Sequence, residues 1–360
     1  MAQLRTIIVG TGSCIPSRIV PNDAFLDRQF YGDYGQPYPA GETARIVHKF
    51  EEITNISERR YVEPGTNASD LAFEAGQKAI QSAGIDPETL DYIIVAHNFG
   101  DVRADNRRSD MVPTLAARVK AKLGIANPYC VAYDLPFGCP GWVQAVIQAN
   151  YYLRSGDARR ALVIGAETLS RIYDPFDRDG MIYADGAGAA VLEAQLHEQP
   201  VGILAHAVRS DTLHHADLLR MDTSFNADNG DAQLYLKMKG RKLYEYALET
   251  VPGVVQQSLE KAGLTLTDVQ KVLIHQANGK MDEAILRRIF RSYGVQERPA
   301  GIMPMTVSWL GNSSVATVPT LLDLIMRGEL DGAKLNAGDN VVFASVGAGM
   351  NVNSIVYRMV

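Results

Sequence analysis

Short apolar runs of strand length punctuate the chain, among them Ile7-Ile8-Val9, the stretch 92–97 (YIIVAH), Ala161 to Gly165 and Val341 to Ser345. Longer stretches with helical spacing separate them. Strands apolar on both faces lie between covering layers, and their alternation with helices predicts an α/β fold with buried strands.

The pattern repeats. Residues 75–98 (AGQKAIQSAGIDPETLDYIIVAHN) and 254–278 (VVQQSLEKAGLTLTDVQKVLIHQAN) each read as a helix ending at Ala-Gly, a short acidic turn and a buried strand. A second pair follows at nearly the same offset, Cys139 to Gly156 and Asn312 to Gly328, each a buried helix closed by glycine and followed by an apolar strand. The chain therefore reads as a tandem of similar halves, 1–197 with Cys139 and 198–360 with His275 and Asn312. Symmetry about a pseudo-twofold axis would bring the matched helix starts together. Two independent α/β domains with no shared site are the alternative.

Composition narrows the class. At 46% hydrophobic and 21% charged the 360-residue chain is ordinary globular protein, and a net charge of −6 gives no global reason for nucleic-acid binding. No apolar stretch suffices for a signal-peptide core or membrane span. Three cysteines without paired spacing argue against a disulfide framework and favour the cytoplasm.

Candidate chemistry centres on Cys139, in Gly138-Cys139-Pro140-Gly141 after a strand and at the start of a helix running to about Arg154. The positive end of the helix dipole is expected to lower its thiol pKa. Cys14 and Cys130 read as buried structural thiols. His275, at the polar end of a strand, and Asn312, after Trp309-Leu310-Gly311, both offer N–H donors to a developing oxyanion. A Cys/His/Asn set in this order is also the broad spacing of papain-like hydrolases. The duplication and the absence of a Cys-Gly-Ser-Cys-Trp setting argue against that reading. Gly10-Thr11-Gly12 lacks the third glycine of a dinucleotide fingerprint, and His214-His215 with Asp211 and Asp217 fits no standard metal spacing. No metal and no cofactor is expected.

These residues resemble the ketoacyl-ACP synthase III enzymes of the thiolase fold along nearly the whole chain. Gly10-Thr11-Gly12-Ser13, Glu58-Arg59-Arg60, Gly138-Cys139-Pro140-Gly141, Asp185-Gly186-Ala187-Gly188-Ala189, His275-Gln276-Ala277-Asn278, Gly311-Asn312-Ser313-Ser314 and Gly347-Ala348-Gly349 carry the resemblance in order. It implies a five-layered αβαβα architecture and a homodimer. It also implies a two-step reaction: acyl transfer to Cys139 from acyl-CoA or acyl-ACP, then condensation with malonyl-ACP, His275 and Asn312 stabilising the enolate. The N–H groups of Cys139 and Gly349 would form the oxyanion hole. A non-catalytic heterodimer subunit would be expected to have lost one of the three residues, and a degradative thiolase would carry a second cysteine after Cys139.

Substrate positions depart from the family. The tryptophan and arginine that hold adenine in better-known members are Lys49 and Ile53 here, whereas Arg178 matches another nucleotide-contacting arginine and Asn278 a substrate-binding position. Val112 replaces a bulky phenylalanine, and residues 30–45 and 101–110 read as insertions near the entrance. The resemblance thus implies fatty-acid initiation or, alternatively, a specialised ketosynthase of dialkylresorcinol type that condenses longer or β-keto acyl thioesters. Lys280, Arg287 and Arg288 match the family's carrier-protein docking residues, although from the sequence alone an ordinary solvated helix face is the better reading.

Overall fold

The structure, a computed structural model, describes residues 2–230 and 232–360. Its first sheet is built from β1 (Gln3–Cys14), β2 (Tyr92–His97), β3 (Val131–Pro136), β4 (Arg160–Thr168) and β5 (Asp185–His197), in the order β1-β5-β4-β2-β3. Next along the chain come β6 (Gly202–Ser210), which opens the second sheet, and a separate two-stranded pair, β7 (Leu219–Asp222) with β8 (Tyr235–Met238). The second sheet comprises β6, β9 (Val269–Ile274), β10 (Asn340–Gly347) and β11 (Asn351–Arg358), in the order β6-β11-β10-β9. Read from β1 and from β6, both sheets pair antiparallel, antiparallel, then parallel. The counterpart of β3 is the irregular stretch beside β9, where Val272 N donates to Ile302 O at 2.8 Å.

Helices fill the spaces between and outside the sheets. After α1 (Thr43–Thr54), α2 (Ala68–Ala83) and α3 (Leu115–Lys122) cover the outer face of the first sheet. α4 (Gly141–Ser155) lies between the sheets, whereas α5 (Gly240–Ala262) and α6 (Gly279–Ser292) cover the second, and α7 (Thr317–Met326) joins α4 in the middle. The result is the αβαβα sandwich. Both predicted repeats are present: α2 and α5 end at left-handed Gly84 and Gly263, and each leads through one 3-10 turn into β2 or β9.

The middle layer explains how two halves make one site. α4 and α7 are apolar nearly all round because each is buried against strands of both sheets. Trp142 of α4 donates from Nε1 to Val163 O in β4 at 3.2 Å, and its ring meets Phe343 of β10 edge-on with centroids 6.0 Å apart. Removing that side chain would cost about 3–5 kcal/mol. Glycines admit the helix starts to the opposite half: a Cβ on Gly165 of β4 would fall 2.4 Å from Val315 O, and one on Gly347 of β10 would fall 2.8 Å from Cys139 N. A separate apolar cluster, built from Phe25, Phe30, Ile46, Phe50, Ile172 and Ile182 among others, caps the end of the sandwich where these helices begin.

Candidate active site

Loops following β3, β9 and β10 meet around a cavity of about 230 Å³ that Cys139, His275, Asn312, Ser314 and Ala348 help to line. The symmetry expectation holds and the picture of two independent domains does not. Beyond the polar end, the walls are apolar, with Leu169, Ile182, Leu219, Leu236, Leu243 and Val346.

Cys139 stands in a turn closed by Gly141 N donating to Gly138 O at 2.9 Å, and Pro140 caps α4. The close approach of Gly347 brings the 347–349 loop against the Cys139 backbone N–H. The expectation of a lowered thiol pKa is corrected. Burial pushes the Cys139 thiol up to about 11; the hydrogen bond donated by Ser314 Oγ at 3.1 Å pulls it back, and the Glu167 carboxylate adds to the rise. A helix terminus is worth at most about 2 kcal/mol, less than the cost of taking a thiolate out of water. The resting sulfur is therefore a neutral thiol. Cys14 and Cys130 are buried, as expected.

His275 follows the last residue of β9, and its N–H donates to Ala344 O at 2.8 Å, which fixes the loop to β10. Burial holds the imidazole down to about 4, so it is neutral at physiological pH. Nδ1 lies 2.8 Å from Thr317 Oγ1, whose hydroxyl donates to Ser314 O at 3.0 Å. Gln276 braces the same loop: Oε1 accepts from Thr306 N at 2.7 Å and Val307 N at 2.9 Å, and Nε2 donates to Pro304 O at 2.9 Å.

Asn312 is clamped on both sides, its N donating to Ile182 O at 2.9 Å and its O accepting from Ala184 N at 2.8 Å. Its Oδ1 accepts from Ser314 N at 2.8 Å, which turns the amide NH₂ outward as a donor. Asn312 precedes a 3-10 turn, Ser314–Ala316, and α7 begins only at Thr317. That turn places Ser314 beside the sulfur. Sequence reasoning named Ser314 only as part of a motif and missed Asn98, Glu167 and Thr317. The signal for Ser314 and Thr317 was their position in the matched helix start.

A second cavity, about 470 Å³, abuts the first and shares Ile182, Met238, Leu243, Ala277 and Met281 with it. Arg45, Lys49, Arg178 and Arg241 line it, as do Ile53 and Asn278. Arg178 reaches it half exposed, stacked over the Tyr38 ring at 5.3 Å, so the 30–45 segment borders this cavity. Asn278 caps α6, its Oδ1 accepting from Lys280 N at 3.0 Å and Met281 N at 3.2 Å. Val112 does not line either cavity of its own chain; it is 89% exposed, before Pro113. The 101–110 segment is tied by ion pairs from Arg118 to Asp101 and Asp110 and lines neither cavity. Lys280, Arg287 and Arg288 are exposed on α6, Arg288 donating to Leu248 O at 3.3 Å. No helix among the described residues is long and apolar enough to cross a membrane.

With this geometry in place, comparison with known proteins is informative. The family model for 3-oxoacyl-[acyl-carrier-protein] synthase III matches residues 133–212, and the model of that family's C-terminal part matches residues 259–359. A β-ketoacyl-[acyl-carrier-protein] synthase III of Erythrobacter litoralis is 33% identical over 99% of this chain and 100% of its own. The crystal structure of the 3-oxoacyl-[acyl-carrier-protein] synthase III of Aquifex aeolicus superposes with a TM-score of 0.77 at 28% identity, covering 98% of this chain and 99% of that one. A priming β-ketosynthase from the R1128 polyketide pathway superposes with a TM-score of 0.81 at 25% identity, covering 100% of this chain and 98% of that one.

Proposed function

Since the chain belongs to the 3-oxoacyl-[acyl-carrier-protein] synthase III family and is a condensing acyltransferase, we propose that Cys139 carries the acyl group and that His275 and Asn312 drive the carbon–carbon bond-forming step. The observation that carries this is the convergence of all three on one cavity at the foot of a cationic vestibule.

In the first step the Cys139 sulfur attacks the donor thioester. An S–C bond forms, the donor C–S bond breaks, and the thiol proton leaves with the donor thiol. The Cys139 and Gly349 N–H groups receive the oxyanion. In the second step malonyl-ACP loses CO₂ while the Asn312 NH₂ and His275 Nε2–H hold the enolate oxygen. The enolate carbon then attacks the acyl-enzyme, the acyl C–S bond breaks, and the departing Cys139 thiolate takes up a proton from solvent to restore the thiol. His275 donates from Nε2 once the Thr317 hydroxyl turns from Ser314 O, its acceptor in the structure, to donate to Nδ1.

The acyl group fills the apolar cavity, and its lining suits chains longer than acetyl. Arg45, Lys49, Arg178 and Arg241 suit the phosphates of the carrier arm, whether from CoA or carrier protein. Lys280, Arg287 and Arg288 form the carrier-protein face on α6. Strand β3 lies at the sheet edge with Val131 48% and nearby Tyr129 85% exposed, which favours pairing with a second copy into a homodimer. The free thiols suit the cytoplasm.

Intact-mass measurement after incubation with acyl-CoA and acyl-ACP donors of graded length tests the proposal. An adduct is expected that vanishes in Cys139→Ala and extends to chains beyond acetyl. An adduct that survives the substitution would refute the assignment, and loading restricted to acetyl would refute the chain-length reading.

A further inference from the structure

Behind Cys139 lies a buried acid that the two-step reaction does not use. Glu167, the penultimate residue of β4, is 1% exposed. Its Oε1 accepts from Asn98 N at 2.7 Å and also from Asn98 Nδ2. The same Nδ2 donates to Ser314 Oγ at 3.1 Å, and Ser314 Oγ donates to Cys139 Sγ at 3.1 Å. The direction of this chain follows from a donor count. An amide NH₂ has two hydrogens, and here one goes to the carboxylate and the other to the hydroxyl. The serine hydrogen is then directed at the sulfur, where it stabilises a thiolate.

The carboxylate acts on the sulfur in a second way, through space and with the opposite sign. Its negative charge raises the thiol pKa, while the hydrogen bond it organises lowers it. Burial pushes the Glu167 carboxyl itself up to about 7, against the pull of His97 and of the Asn98 hydrogen bonds. The charged and titratable groups around it are His97 on β2, whose Nε2 is 2.9 Å from Asp134 on β3, Asp185 on β5, Arg171 beside Asp185, and Cys139.

Resting on Cys139 as nucleophile, we propose that Glu167 is a positioning residue that sets the reactivity of this sulfur, aiming the Ser314 hydroxyl through Asn98 while its own charge restrains the thiolate. The resting thiol is then protected while Glu167 is ionised, and it becomes more reactive when that carboxyl is neutral.

The test is the pH dependence of Cys139 alkylation by iodoacetamide, followed by peptide mass mapping, which needs no acyl donor. Failure of acyl loading would therefore be seen separately from failure of this inference. Glu167→Gln is expected to lower the apparent thiol pKa and speed alkylation about three- to tenfold near neutral pH. Ser314→Ala is expected to raise the pKa and slow alkylation by about tenfold. Shifts of opposite sign are the signature, because loss of local structure would move both variants the same way. Shifts of the same sign, or an unchanged profile in Glu167→Gln, would overturn the proposal. If Glu167→Gln does not fold, Asn98→Ala cuts the chain while keeping the charge; it is expected to slow alkylation, and an unchanged rate would overturn the proposal.

Discussion

The two matched helix starts share a scaffold and differ in chemistry. In the first half the chain leaves β3, makes one tight turn and enters α4, with a sulfur at the turn. In the second half Asn312 is followed by a 3-10 turn before α7, and that extra turn carries Ser314 across to the sulfur of the other half. The group proposed to accept the acyl chain and the groups proposed to hold the enolate thus sit in different copies of one unit. The second copy also supplies the hydrogen bond that conditions the first. Duplication here produced division of labour, with the helix starts as the variable parts.

If the labour is divided in this way, substitutions should separate the two steps. Asn312→Ala and His275→Ala are expected to retain the acyl adduct on Cys139 while slowing malonyl decarboxylation about 10²–10³-fold. Loss of the adduct in either variant would mean that the halves act together from the start. Thr317→Val should slow decarboxylation by about tenfold, since it removes the hydroxyl whose donation to Nδ1, in place of Ser314 O, would set the Nε2–H tautomer, and Thr317→Ser should restore the rate. Equal defects in Val and Ser variants would place Thr317 in packing alone.

The pH profile sharpens the same comparison. The His275 pKa is held down to about 4, so if the imidazole acts as the proposed neutral donor, decarboxylation should stay level from about pH 8 to 5.5 and decline only as pH approaches 4. A decline centred near 6.5 would show an imidazole that is solvated in the working enzyme. The smallest effect is expected at the surface. Charge reversal at Arg287 and Arg288 should weaken turnover with carrier-protein substrates by several-fold, within about 1–2 kcal/mol, and spare small thioesters. Equal loss with both substrates would reject the docking face.

Much of this organisation was legible in the sequence because buried strands and glycine-closed helices leave a periodic trace. The paired Ala-Gly stops at Gly84 and Gly263 and the helix starts near Cys139 and Asn312 located the halves and the site without coordinates. The thiol's ionisation was not legible. A helix start argues for a low pKa, and only the packing around Cys139 reveals the desolvation that outweighs it. Glu167 and Asn98 were hidden for a related reason: each reads as an ordinary polar residue at a strand end, and their link to Ser314 depends on three segments distant in the chain. Val112 illustrates the converse. The resemblance matched it to a bulky phenylalanine, yet it is exposed and lines neither cavity of its own chain.

The shared middle layer also governs how the protein opens. Because α4 and α7 are each packed against both sheets, neither catalytic loop is anchored to a segment that can detach by itself. Backbone amides of these two helices should therefore exchange with deuterium only through unfolding of the whole sandwich, at one common rate. The capping region around α1, which borders the vestibule, has an apolar cluster of its own and is free to exchange earlier. Substrate entry can then proceed by fluctuations of the cap while the reacting groups keep their spacing.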